Sequence, residues 1–253
     1  MTDVSAVGSA AGDAWFSKYV RVLRDPVFLT MLRNTAIFSL TIFIQIGLGF
    51  VLAFMLHSAV RGKTIYRLII FLPVVLSPAI LAPIFRQSLA PDGEFNTLLR
   101  ATGLGAFAHP WLADPNTALW ALIVINIWQW TGFSFLLYYA ALGETDREVV
   151  EAARLDGAGN ARLMWSILLP SARGVTLTLI ILGVIGVLKT FDIPYLVTGG
   201  GPYHATEFFS TYIYSRGIID GDLGFGSALS VLLLVLSVIF TAYQLARYRR
   251  GGQ

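Results

Sequence analysis

Five apolar runs dominate the chain, near Asn34 to Leu56, Ile65 to Phe85, Ala118 to Leu142, Gly174 to Val197 and Gly226 to Ala246. Each has about the 20 residues that a helix rising about 1.5 Å per residue needs to cross about 30 Å of hydrocarbon. Inside a bilayer the backbone must satisfy its own hydrogen bonds, which leaves helices or closed barrels. Continuous apolar runs, without strict alternation, select helices. The expected fold is therefore all-α, a polytopic transmembrane bundle of about five spans. Composition agrees: 56% of residues are hydrophobic and 13% charged, against roughly 45–50% and about 25% in soluble domains.

The second run carries Pro73, Pro78 and Pro83, so it should be kinked or broken, because each proline removes a backbone donor. Residues 1–33 lack an uninterrupted apolar core and hold Lys18, Arg21 and Arg24; they read as a surface or interfacial segment rather than a signal peptide. The membrane domain then spans 34–246 and a short tail 247–253.

Lysine and arginine set the orientation. Arg61, Lys63, Arg67, Arg147, Arg154, Arg162, Arg173, Arg247, Arg249 and Arg250 fall on one side of the membrane, and only Arg86, Arg100 and Arg216 on the other. The richer side, with the C-terminus and the 143–173 loop, is expected to be cytoplasmic. Five spans then put the N-terminus outside, and Lys18, Arg21, Arg24 and Arg33 conflict with that placement.

The 143–173 loop is the most patterned polar stretch. Ala152, Leu155, Leu163, Met164, Ile167 and Leu168 recur at helical spacing, and Gly157 divides the segment into two helical pieces. Such an elbow is suited to docking. Its order, Glu151-Ala152-Ala153, Asp156-Gly157-Ala158, then Ile167, Leu169 and Pro170, resembles the cytoplasmic coupling loop of binding-protein-dependent ABC importer permeases. Met164 and Gly174 stand where that family often has an aromatic residue and a proline.

Asn34-Thr35-Ala36-Ile37-Phe38, Arg61-Gly62-Lys63 and Leu72-Pro73 are similar to the start of the family's core. Lys189-Thr190-Phe191-Asp192, Thr198 to Pro202, Ala205-Thr206-Glu207 and Tyr212-Ile213-Tyr214 are similar to its sugar-type subgroup. The resemblance implies a multi-pass cell-membrane subunit that binds no cofactor itself. It also implies a second homologous permease, an ATP-binding subunit dimer carrying ATP and magnesium, and an extracytoplasmic solute-binding protein. Glu151, Ala152, Ala153, Asp156, Gly157, Ala158 and Pro170 would meet the ATPase, and the solute would be a carbohydrate or a polyol phosphate.

Polar residues inside spans are costly and default to functional hypotheses. Asn126, Gln129 and Trp130 form one such cluster; Lys189, Asp192 and Tyr195 form another. They are the candidate solute path, since the helices that carry them flank the elbow. Trp128 and Trp130 also suit an interfacial belt or packing, and Lys189 with Asp192, three apart on one helix, also suits a charge pair.

Other chemistries find little footing. Gly62-Lys63-Thr64 mimics the end of a phosphate loop, yet His57 occupies the position of its first glycine. Glycines 199 to 201 before Pro202 suit a helix exit better than a nucleotide cradle. His57, His109 and His204 lack metal-ligand spacing, no hydrolase or metalloprotease motif occurs, and the chain has no cysteine. The basic residues sit beside membrane ends, which favours topology over nucleic acid. A secondary transporter or a membrane scaffold without an ATPase remains the rival class.

Overall fold

The computed structural model describes residues 11–57 and 62–251. The expectations that fall on residues 1–10, Arg61 and 252–253, and on the side chains of Arg147, Arg247, Arg249 and Arg250, lie outside this description. Twelve helical elements are considered below, and no strand occurs among the described residues.

Helix α1 (Ala11–Arg24) leads through Asp25 into α2 (Pro26–His57). The Asp25 carboxylate accepts from the Val27 N–H at 2.8 Å, and Pro26 takes the first helical position, where its missing N–H costs nothing. The helix that carries the first apolar run thus starts at Pro26, ahead of the expected boundary at 33/34. Its 32 residues reach about 48 Å at 1.5 Å per residue. Nor does the segment expected on the surface, residues 1–33, simply lie there where it is described: Val22, Val27 and Met31 are buried against Phe209, Tyr212 and Phe225.

The second apolar run is broken, as its prolines require. Helices α3 (Lys63–Val75) and α4 (Pro78–Ser88) meet at 93°. Ser77 is extended, as a residue before proline prefers, and its hydroxyl caps α4 by accepting from the Ala79 N–H. A short helix α5 (Glu94–Ala101) follows. There the buried Asn96 donates to the carbonyls of Ala90, Pro91 and His109 and accepts from the His109 N–H and the Trp111 indole. Helix α6 (Pro115–Gly143) then returns through the bundle, its start capped by Asp114.

Beyond it come the elbow helices α7 (Arg147–Leu155) and α8 (Asn160–Ser171), then α9 (Arg173–Leu188), bent by 70° from α8. The fourth apolar run is not one helix through Val197. It stops at Leu188 and restarts as α10 (Asp192–Thr198). Pro194 explains the stop, because it has no N–H to offer the Thr190 carbonyl and its ring would crowd that group. Helices α11 (Phe209–Tyr214) and α12 (Leu223–Gly251) complete the chain. Three helices, α2, α6 and α12, are long and apolar enough to cross a membrane alone; the bent pairs α3–α4 and α8–α9 raise the number to five.

Helices α2 and α6 pack over much of their length. Their backbones approach closely at Gly49, where a Cβ would lie 2.6 Å from the Ser134 Cβ and 2.7 Å from the Phe135 nitrogen. Small residues at a crossing are how membrane helices gain van der Waals contact without a hydrophobic drive. At one end of the bundle, Phe50, Leu56, Tyr138 and Leu142 form a core with Leu163 and Leu168 of the elbow. At the other, Asn34 donates to the carbonyls of Ala205 and Glu207, both at 2.9 Å. The Glu207 carboxyl, buried there beside the Thr211 hydroxyl, is pushed above the usual carboxylate range by burial.

Helix α1 therefore lies at the end opposite the elbow. Arg21 pairs with Asp222 at 2.9 Å and sits over the Phe225 ring. Of the four cations that conflict with an outside N-terminus, Arg21 is thus paired with an acid far along the chain.

Candidate functional site

Helices α2, α4, α6, α9 and α10 enclose a cavity of about 280 Å³ at mid-bundle. Asn126, Gln129, Trp130, Lys189 and Asp192, drawn from two separate runs, line it together. Tyr195 does not line it. It lies one ring back, stacked on Phe191 at 5.0 Å with 12° between the planes, and Phe191 forms the wall. Trp128 and Trp130 divide as residues two apart on a helix must: Trp130 faces the cavity while Trp128 packs edge-on against Phe85.

The polar groups are not equally available. Gln45 of α2 donates from Nε2 to the Asn126 Oδ1 at 2.7 Å and to the Asn126 carbonyl at 3.2 Å. Gln129 is 2% exposed; its Nε2 reaches the Leu76 carbonyl at 3.4 Å, at the α3–α4 break, and its Oε1 has no partner among the described residues. A buried acceptor without a donor is costly. Sequence reasoning missed Gln45, Thr190 and Phe191. The test applied to Asn126, a polar group inside an apolar run, would have found Gln45.

Lys189 and Asp192 do not form the helical charge pair considered above. The helix breaks between them, and neither makes an ion pair with any described residue. Lys189 follows the last residue of α9 and Asp192 opens α10, so each complements a helix-end dipole, cation at a C-terminus and anion at an N-terminus. Broken helices whose ends face a cavity are a recurrent way of building solute sites in membranes. Lys189→Ala and Asp192→Asn should therefore act independently. We expect a double-mutant cycle on folded yield to give a coupling below about 0.5 kcal/mol, with no recovery in the double variant.

At the bundle end, the elbow's shape follows from a helix stop. The Ala158 N–H donates to the Ala153 carbonyl at 2.9 Å and the Gly157 N–H to the Arg154 carbonyl at 3.0 Å, while Gly157 has φ of +80°. This is the Schellman pattern, with glycine in the left-handed position and small residues closing the turn. Ala153 packs toward the core; Glu151, Ala152 and Asp156 face outward, and Pro170 is exposed near the end of α8.

The single apolar face expected along the segment does not exist. Leu163 and Leu168 are buried and Met164 and Ile167 half-buried, yet Leu155 is 89% exposed. The Gly157 turn reorients the second piece, so helical spacing cannot be carried across it. Val150 and Ala153 turn inward from α7 instead. The result is a helix whose outer surface mixes the charges of Glu148, Glu151 and Arg154 with apolar Val149 and Leu155, rooted by α8 in the α2–α6 core. Residues 163–168 form wide π-type turns, and the Leu169 N–H donates to Met164. Such turns are uncommon and concentrate at functional positions.

The sequence family described as binding-protein-dependent transport system inner membrane component matches residues 45–250. The chain is 32% identical over 239 residues to a probable ABC transporter permease (YurN) of Bacillus subtilis, covering 93% of this chain and 82% of that one. It is 32% identical to the sn-glycerol-3-phosphate transport system permease of Brucella suis, covering 90% and 78%. It is 33% identical to the lactose transport system permease of Rhizobium radiobacter, covering 91% and 80%. In structure it is similar to a chain of a bacterial ABC transporter that imports the acidic polysaccharide alginate, with a TM-score of 0.87, 23% identity, and coverage of 98% and 85%.

Proposed function

Because this chain belongs to the family of binding-protein-dependent transport system inner membrane components, and is thus a non-catalytic permease subunit of an ABC importer, we propose that its central cavity carries a carbohydrate or related solute. That membership decides against the secondary transporter and the scaffold. In the proposed assembly a second, similar permease completes the path, and an ATPase dimer, with ATP and magnesium, binds the Glu151 to Pro170 elbow. A solute-binding protein docks at the far end. The elbow and C-terminus are cytoplasmic, in keeping with the excess of Lys and Arg on that side.

The observation that carries this reading is the joining of elbow and cavity by the same helices. Leu163 and Leu168 pack against Phe50, Tyr138 and Leu142 of α2 and α6, and the same α2 and α6 hold Gln45, Asn126 and Gln129 at the cavity. A push on the elbow is thereby transmitted to the cavity walls as a rigid-body movement, which is what alternating access requires. The similarity to lactose and glycerol-3-phosphate permeases supports a sugar or polyol derivative as the solute.

The test is reconstitution of this chain with its co-purifying partners in proteoliposomes, followed by ATP-dependent solute uptake. A preparation with no stoichiometric ATPase overturns the assembly. In the same system Glu151→Lys is expected to remove solute-stimulated ATP hydrolysis, because reversing a charge at a partly buried contact leaves the opposite charge unpaired. Unchanged stimulation removes Glu151 from the contact.

A further inference from the structure

Phe191 occupies an unusual place. With Lys189 and Thr190 it lies between α9 and α10 and belongs to neither, with φ of −140° and ψ of −55°, and it lines the cavity. Tyr195 stacks nearly parallel on that ring at 5.0 Å, and Tyr214 meets both rings edge-on, at 5.5 Å from Phe191 and 5.0 Å from Tyr195. The ring is thus held by two others although its backbone lies in a helix break.

The rest of the lining narrows what such a ring would meet. Among the described residues Lys189 and Asp192 are the only charged ones of the wall, one of each sign. Gln129 lines the wall, and its buried Oε1 has no partner among the described residues. The cavity, at about 280 Å³, lies near the lower end of the roughly 300–1,000 Å³ typical of ligand pockets.

We propose that Phe191, fixed from behind by Tyr195 and Tyr214, is the specificity-determining platform of this cavity, and that it selects an uncharged solute with a pyranose ring over an acyclic polyol or a polyol phosphate. The face of an aromatic ring is electron-rich, and the C–H groups on one side of a pyranose carry the complementary partial charge in a flat array. A flexible polyol must order its chain to present the same array, at an entropic cost. A phosphate gains one cation in Lys189 but meets the carboxylate of Asp192 in the same wall. The inference rests on the cavity being the solute path.

The chain contains no cysteine, which supplies a direct test. Thr190→Cys puts one thiol in the cavity wall beside Phe191. In membranes holding the assembled importer, its rate of modification by a small water-soluble methanethiosulfonate is measured with high concentrations of methyl glucoside, lactose, sorbitol or glycerol 3-phosphate, reading the mass of this chain alone. The two ring sugars should slow the reaction, and sorbitol and glycerol 3-phosphate should slow it about threefold to tenfold less, the range expected of one aromatic stacking contact. Phe191→Leu, which keeps apolar bulk without a ring face, should erase the difference, and Phe191→Trp should restore it. Equal protection by all four compounds, no protection by either ring sugar, or a preference unchanged in Phe191→Leu overturns the proposal. Co-purification of the ATPase, checked on the same membranes, reports separately on the importer assembly.

Discussion

Replacing Gly157 by leucine is expected to reduce ATP-driven uptake at least roughly tenfold, about 1.4 kcal/mol of coupling, while the protein still inserts and assembles its bundle. Space is not the reason, because a Cβ at Gly157 would meet nothing within 4 Å. The reason is the backbone. With φ at +80°, a leucine there costs about 1–2 kcal/mol in the left-handed region, and the cheapest relief is to abandon the Schellman turn. Helix α7 would then leave α8 in another direction, carrying Glu151 and Leu155 away from the proposed ATPase contact. Asparagine enters the left-handed region more readily than leucine, so Gly157→Asn should retain clearly more uptake than Gly157→Leu. Wild-type uptake by the leucine variant sinks the coupling assignment, and equal loss in both variants points to side-chain bulk at the contact instead.

Gly49→Leu is expected to do the opposite, removing the folded protein itself. A Cβ at Gly49 would lie 2.6 to 2.8 Å from the Ser134 and Phe135 atoms of α6, two of them backbone. Overpacking typically costs about 1–3 kcal/mol even where side chains can yield, and backbone cannot yield without parting α2 from α6. Folded yield from detergent, read by size-exclusion chromatography, should fall more than roughly tenfold, the equivalent of about 1.4 kcal/mol. Gly47 is the internal control: it lies on the same helix and a Cβ there meets nothing within 4 Å. Gly47→Leu should fold like the parent chain, since leucine is the better helix former, and equal losses at both positions would mean that added bulk anywhere on α2, not the crossing, is responsible.

The elbow illustrates how far local sequence reaches. Gly157 between two patterned pieces specified a turn, and the turn is there, because a Schellman stop needs only one left-handed residue and the carbonyls just before it. The same local reasoning failed at Leu155. Its helical phase with Leu163 was real on paper, but phase does not survive a change of helix direction, and Leu155 ends exposed while Leu163 is buried. For Lys189 and Asp192, spacing of three suggested a pair. Pro194 lies only two residues beyond Asp192, and its missing donor ends the helix between them.

Membrane residence, helical class, the position of the runs and the existence of an elbow were determined by the chain alone, because hydrocarbon thickness and backbone hydrogen bonding act on each segment separately. The cavity was decided only by tertiary structure. Asn126, Gln129, Lys189 and Asp192 each announce themselves as polar groups in apolar surroundings. Their meeting in one wall with Gln45 and Phe191 depends on the α2–α6 crossing at Gly49 and on two breaks, at Ser77 and at Lys189 to Phe191. Likewise, the far-end position of α1 depends on Val22 packing among Phe209, Tyr212 and Phe225. Residues so distant in sequence are brought together by packing, and packing energy belongs to pairs of surfaces that no single segment encodes.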